Sequence, residues 1–193
     1  MLDLIISEIQ ESIEVKKNFL SFAPTLKNAL EILEETLFNS GKILVCGNGG
    51  SAADAQHFVA ELVGKYKDEK RKGLPAIALT TNTSNITAIA NDIGFEEIFS
   101  RQVEALGKKG DVLIAISTSG KSENVNRACL KAKDLGIKVI YLTGSEDPPV
   151  HKFCDVVIKV PSNSTPRIQE VHGLVLHIFA YLIERKILES KTQ

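Results

Sequence analysis

The apolar positions of this chain change their rhythm once, near residue 42. Before it they recur at helical spacing. Leu2, Ile5, Ile6, Ile9 and Ile13, extended by Phe19 and Leu20, mark one amphipathic helix, and Leu26, Leu30, Leu33 and Leu37 mark a second. Pro24 suits the first turn of that second helix, and Gly41 supplies its stop. From Lys42 onward the apolar residues come in short continuous runs: KILVC, PAIALT, DVLIAIS, KVIYLT and DVVIKV. Such β-branched, non-alternating runs are expected of strands covered on both faces. Helical stretches over 51–64, 122–135 and 167–188, and a broken helical region over 84–107, separate most of them. The segment 143–154, with Pro148 and Pro149, reads as a loop with at most a short helix. The order predicts an α/β fold with a parallel, doubly wound sheet of five strands. The N-terminal helices, about 1–40, are expected to pack on that core or on another subunit. With 193 residues and no low-complexity linker, one domain spanning 1–193 is expected.

Composition narrows the partners. Hydrophobic residues at 44% and charged residues at 24% are ordinary globular values, and a formal charge of -1 gives no electrostatic case for nucleic acid or an anionic membrane. Phosphate remains open, because backbone N–H groups bind it without a basic surface. Cys46, Cys129 and Cys154 are scattered, with no CxxC pair. They read as free thiols in a reducing compartment. The first residues carry acids at Asp3 and Glu8 where a signal peptide would be basic, and no apolar run has the length of a membrane span. The expectation is a cytoplasmic protein with no nucleic-acid and no membrane partner.

In doubly wound sheets ligands collect beyond the carboxyl ends of the strands, and three loops there have unusual chemistry. GNGGS, residues 47–51, allows tight turning and close backbone approach, with Ser51 able to cap the next helix. It lacks the third glycine of a GxGxxG fingerprint, so a dinucleotide is discounted; a structural turn and a ligand-contacting turn both stay open. STSGKS, residues 117–122, sets four hydroxyls around a glycine where a helix begins, which suits a dianionic phosphate. Its spacing is not GxxxxGK[ST], so a nucleoside triphosphate is not expected. TTNTSN, residues 80–85, followed by Asn91 and Asp92, can hydrogen-bond sugar hydroxyls or simply cap two short helices.

The stretch HFVAE adds a chemical pair. His57 and Glu61, four apart, lie about 40° apart on one helix face and about 6 Å apart in rise. Phe58, Val59 and Leu62 make that helix largely buried, and a buried carboxylate is costly unless paired or metal-bound. A satisfied pair at the helix edge remains the plain alternative. Far along the chain, RIQEVHGLVLHIF carries Gln169, His172 and His177. Gln169 and His177, eight apart, are separated by about 80° and about 12 Å on a straight helix, so that they can barely share one ion whose bonds are near 2 Å. Either the side chains lean together or the two contact ligand from different subunits. His172 lies about 140° from His177, so only one of them faces a given site. His177 is preferred because Leu174, Ile178 and Tyr181 mark its side as packed.

Taken together, CGNGGSAADAQHFVAELVGKY, PAIALTTNTSNITAIANDIGFEEIFSRQVEALGKKGDVLIAISTSGKSENV and TPRIQEVHGLVLHI resemble the phosphoheptose isomerases, the sedoheptulose 7-phosphate isomerase branch of the sugar isomerase (SIS) fold. The glycine and serine loops mark the wider fold; HFVAE together with RIQEVHGLVLH is more specific. The resemblance implies an α/β/α sandwich and a homotetramer with active sites at subunit interfaces. It implies that Asn48, Gly49 and Gly50 contact the sugar phosphate, that Asn91 and Asp92 meet sugar hydroxyls, and that Ser117, Thr118, Ser119 and Ser122 hold the phosphate. It implies a zinc site, one ion per subunit, on His57, Glu61, Gln169 and His177, with Gln169 and Glu61 also contacting substrate and with Glu61 and His177 as the proton-transfer pair. The implied reaction converts sedoheptulose 7-phosphate into D-glycero-D-manno-heptose 7-phosphate through an enediol, as the first step of nucleotide-activated heptose synthesis. Two positions depart from the family pattern: Lys65 stands where an arginine is often found, and Pro166 precedes Arg167 where an aspartate can occur. The rival expectation is a non-catalytic SIS module that binds a replication-initiator protein or senses sugar phosphates.

Overall fold

A computed structural model describes residues 1–69 and 71–190; Lys70 and the last three positions of the expected domain lie outside the described residues. Two helices come first, α1 (Leu2–Phe19) and α2 (Ala23–Phe38), joined by a 3₁₀ turn at Leu20–Phe22. Pro24 stands in the first turn of α2. The stop of α2 differs from expectation. Ser40, not a glycine, takes the left-handed conformation at φ 59°, while Gly41 N–H donates to the Thr36 carbonyl at 2.8 Å. Gly41 is required for a different reason, because a Cβ there would lie 2.3 Å from the Gly110 carbonyl oxygen.

The remaining chain alternates strand and helix. The strands are β1 (Ile43–Gly47), β2 (Ala76–Ala78), β3 (Val112–Ile116), β4 (Lys138–Thr143) and β5 (Val156–Lys159). The helices are α3 (Gly50–Val63), α4 (Thr83–Asp92), α5 (Ser100–Leu106), α6 (Glu123–Asp134) and α7 (Thr165–Glu189). The sheet is wholly parallel in the order β2-β1-β3-β4-β5, as the five apolar runs predict. PAIALT yields only three strand residues, because it forms an edge paired on one side alone. The 143–154 segment carries a single 3₁₀ turn at His151–Phe153.

Successive strand residues point to opposite faces, and both faces are covered. Ile43, Val45, Ile114, Ile116, Ile140 and Leu142 meet Leu33, Phe58, Val175 and Phe179 from α2, α3 and α7. Leu44, Cys46, Leu113, Ala115, Val139 and Tyr141 meet Phe99, Val103, Val125 and Ala128 from the α5 and α6 side. This double coverage is why the runs are continuous. Cys46 and Cys129 are buried and Cys154 half-buried, all as free thiols.

Helix α1 is attached to α7 by polar contacts: Ser12 donates to Glu170, and Arg167 to the Glu8 carbonyl. Its apolar stripe, Leu2, Ile5, Ile6, Ile9 and Ile13, faces away from the core and is exposed by 43–68%. Among the described residues, no helix is long and apolar enough to cross a membrane. The strand order reverses between β1 and β3, which places a crevice beyond their carboxyl ends.

Candidate active site

Helices α3 and α7 lie side by side and run in the same direction: Gly50 packs against Gln169, and His57 and Glu61 meet His177. The pairing follows from the apolar positions on each, since Phe58 and Leu62 of α3 share one core with Val175 and Phe179 of α7. Three side chains converge at the seam. His57 Nε2 is 3.0 Å from Glu61 Oε1, His177 Nε2 is 3.3 Å from the same oxygen, and the two ring nitrogens are 3.2 Å apart. The Glu61 side chain is only 14% exposed, and its second oxygen, Oε2, is buried with no hydrogen-bond partner.

Two imidazoles and a carboxylate are a zinc donor set. Tetrahedral ligation with bonds of about 2.0–2.1 Å separates ligand atoms by about 3.3–3.4 Å, close to the three separations here. The group therefore fits a small divalent cation.

His172 is excluded from this site. It is fully buried, its Nε2 lies 3.2 Å from the Thr143 carbonyl oxygen, and burial, partly offset by that contact, pulls its pKa down to about 4. Of the two histidines it is His177 that meets Glu61, but not for the reason the sequence suggested. The packed face of α7 belongs to Val171, His172, Val175 and Phe179, whereas Leu174 and Tyr181 are more than one-third exposed. Residue His177 works from the half-open side.

Gln169 does not join the three ligand atoms by the lean that sequence spacing invited. Its amide sits over Gly50, so close that a Cβ on Gly50 would lie 2.3 Å from Nε2, about two turns of α3 before His57. Between the two levels, Asp54, His57, Phe58, Gly173, Leu176 and His177 line a cavity of about 90 Å³. Asp54 is a residue that sequence reading missed. Its Oδ2 is buried without a partner, and burial pushes its carboxyl up against the opposing pull of His57 and His177.

The strand-end loops form two further hollows. At the β1/β3 crevice Asn48 and Asn124 exchange side-chain amide hydrogen bonds at 2.8 and 2.9 Å, and both line a cavity of about 390 Å³ with Ser122, Glu96 and Arg127. Ser117 is buried and donates to Ser122 at 3.0 Å. Thr118, Ser119 and Lys121 line a second hollow of about 170 Å³ with Ser145, Asn163 and Thr165, the last in the first turn of α7. Ser119 Oγ accepts from Lys121 N–H at 3.2 Å. STSGKS is thus split, with Ser122 in one hollow and Ser119 in the other. Gly49 holds φ 55° at the cap of α3. Ser51, expected as that cap, instead sits inside the first turn, buried against Gly47. Asn91 and Asp92 end α4, are exposed and hydrogen-bond each other at 2.7 Å; neither lines these three hollows. In TTNTSN the capping alternative is realised, because Asn82 accepts from Asn85 N–H at 3.0 Å.

Asn124 could have been sought as a polar residue in the first turn after the serine loop. Ser145 and Asn163 carry no local signal, because only the β4 and β5 crossings bring them together.

A parallel sheet with a serine loop at its carboxyl edge and an imidazole–carboxylate cluster between flanking helices defines a sugar-phosphate isomerase type of site. The family described as SIS domain matches residues 9–144, and the chain belongs to it. Within that family the similarity runs to phosphoheptose isomerases. That of Helicobacter pylori (strain P12) is 58% identical over 171 residues, covering 89% of this chain and 88% of the relative. The solved phosphoheptose isomerase of Neisseria gonorrhoeae superposes with a TM-score of 0.90 at 44% identity, covering 95% of this chain and 98% of that one. The one from Francisella tularensis gives 0.92 at 40% identity, with the same coverage.

Proposed function

We infer that this protein is a phosphoheptose isomerase that interconverts sedoheptulose 7-phosphate and D-glycero-D-manno-heptose 7-phosphate, a cytoplasmic step at the start of nucleotide-activated heptose synthesis. The observation that carries the reading is the convergence of His57, Glu61 and His177 at 3.0–3.3 Å in a chain 58% identical to a phosphoheptose isomerase. The same cluster weighs against a purely scaffolding module, which has no need of it.

The reaction moves one proton from C1 of the ketose to C2. Glu61 is the base, and its two oxygens have separate roles. Oε1 faces both imidazoles, while Oε2 has no partner and is free to take the C1 proton and return it at C2. His177, through the ring nitrogen not turned to Glu61, would donate to the substrate oxygen on which negative charge develops. His57, Glu61 and His177 would hold the ion, and zinc there would supply Lewis-acid polarisation of the carbonyl; Gln169, two turns away beside Gly50, is left to contact the substrate. Ser119 and Thr118, with the N–H groups opening α7, grip the distant phosphate and orient C1 and C2 against Glu61. Asn48, Gly49, Gly50 and Ser122 contact the sugar across the β1/β3 crevice. Asn91 and Asp92, remote from these groups in the single chain, contribute to a neighbouring subunit's site in a homotetramer whose contacts include the outward stripe of α1.

The test is turnover of sedoheptulose 7-phosphate, beside arabinose and hexulose phosphates, with and without a chelator. The reading expects aldose phosphate from the heptulose alone, lost on chelation and restored by zinc. Turnover that survives complete metal removal would sink the metal assignment; no turnover in zinc-loaded protein would sink the isomerase.

A further inference from the structure

Arg71 lies in the α3–β2 connection and belongs to none of the substrate or metal groups above. Its side chain is only 1% exposed, and every N–H it owns is used. Nε donates to Glu184 Oε2 at 2.9 Å. Nη1 donates to the carbonyls of Leu62 at 2.8 Å and Lys72 at 2.7 Å. Nη2 donates to those of Glu61 at 2.6 Å and Gly64 at 3.3 Å. A guanidinium has five donors in a fixed fork, so none is spare. The carbonyls of Glu61, Leu62 and Gly64 belong to the last turn and cap of α3, whose acceptors have no intrahelical partner and where a cation is favoured.

Glu184, the other end of the clamp, lies on α7 seven residues after His177, about 20° from it around the helix. It is equally buried and accepts from the backbone N–H groups of Tyr66, Lys67 and Asp68 at 3.1, 2.8 and 3.0 Å. That fixes the loop whose Tyr66 ring stands 6.2 Å from the His177 ring. One guanidinium therefore joins the end of the helix bearing His57 and Glu61 to the helix bearing His177.

We propose that Arg71 is a positioning residue of the metal site: by locking the C-terminal turn of α3 to Glu184 of α7 it sets the register in which His57 and Glu61 meet His177. A slip of one residue moves a helix by about 1.5 Å, most of a metal–ligand bond length. The packed seam alone permits small slides; the clamp removes them. The inference rests on reading His57, Glu61 and His177 as metal ligands.

The test measures cobalt(II) affinity by competition with a chromophoric chelator, and the visible spectrum of the bound cobalt, in wild type, Arg71→Lys, Glu184→Gln and Asp111→Asn. Asp111 is the comparison because it is another buried carboxylate, holding Lys42 and Lys108 N–H groups just before the central strand β3, at the amino-terminal end of the strands, away from their carboxyl ends. Arg71→Lys keeps the charge but loses the fork. It is expected to weaken cobalt binding about 10- to 100-fold and to change the spectrum. Glu184→Gln, the milder change should Arg71→Lys fail to fold, is expected to weaken binding in the same direction. Asp111→Asn is expected to lower the unfolding midpoint and bind cobalt as wild type does. Wild-type affinity and spectrum in the folded Arg71 and Glu184 variants overturn the clamp alone. Equal loss of affinity in Asp111→Asn overturns it in favour of general destabilisation. Failure of the wild-type chain to bind cobalt overturns the metal reading and the clamp with it.

Discussion

The Nε2 atoms of His57 and His177 stand 3.2 Å apart although 120 positions separate them in the chain. Two ring nitrogens that close, both against Glu61 Oε1, form a concave set of lone pairs when the imidazoles are neutral. Glu61 is the member with an oxygen to spare. Replacing Glu61 by Gln keeps the shape and removes the base. Turnover is expected to fall at least ~10³-fold, within the contribution usual for one general base. Sugar-phosphate affinity, held by the serine hollow, is expected to change less than about threefold. Isothermal titration beside a coupled activity assay checks both; a comparable collapse of affinity would remove Glu61 from its assigned role.

Ser119 offers the complementary case. It is exposed in its hollow, and its hydroxyl is engaged only by Lys121 N–H. Ser119→Ala is expected to raise KM about 5- to 20-fold, the equivalent of one hydrogen bond to a charged group, about 1–2 kcal/mol. The turnover number is expected to change little. Steady-state kinetics decide, and an unchanged KM would move the phosphate away from this loop.

His172 supplies a pH dependence with a definite sign. Its folded pKa is about 4 against an ordinary 6.5, so between those values the unfolded chain binds a proton that the folded chain refuses. Stability from this residue is fully present above pH 6.5 and is lost as pH falls towards 4, by about 3 kcal/mol in total. His172→Gln, which keeps a donor for the Thr143 carbonyl, removes the titration. Urea midpoints at pH 7 and pH 4.5, at one protein concentration, are expected to fall further in wild type than in the variant. Parallel falls would contradict the assignment.

The sheet was legible because its strands are buried on both faces, and a continuous apolar run has few other destinations. The helix bearing His57 and Glu61 was legible for a local reason: four residues are one turn. His177, not His172, is the histidine that meets Glu61, but the premise for choosing it was mistaken. Leu174, Ile178 and Tyr181 look like a packed stripe in sequence, yet α7 buries the Val171–Val175–Phe179 side because α2 and the sheet lie there. Asp54 and Arg71 were invisible for another reason. Each acquires its meaning from a partner far along the chain, and spacing within one element carries no trace of it.

The outward stripe of α1 offers a test of whether another copy of the chain completes the site. Leu2, Ile5, Ile6, Ile9 and Ile13 are 43–68% exposed, while the helix is tied to its own chain by polar groups at Ser12, Lys16 and Glu8. Ile5→Asp with Ile9→Asp therefore removes little intramolecular packing. If the stripe meets other copies, each substitution forfeits about 1.5–3 kcal/mol of burial per side chain in the assembly and adds a charge to an apolar contact. Light scattering after size exclusion is expected to show smaller particles than wild type. Cobalt binding separates the two halves of the site. His57, Glu61 and His177 all belong to one chain, so the dissociated protein is expected to bind cobalt as the assembled protein does. Asn91 and Asp92 lie outside the hollows of their own chain, so turnover is expected to fall with dissociation. Full activity in a proven monomer would return the whole site to the single chain, and unchanged particle size would leave the stripe without the role assigned to it.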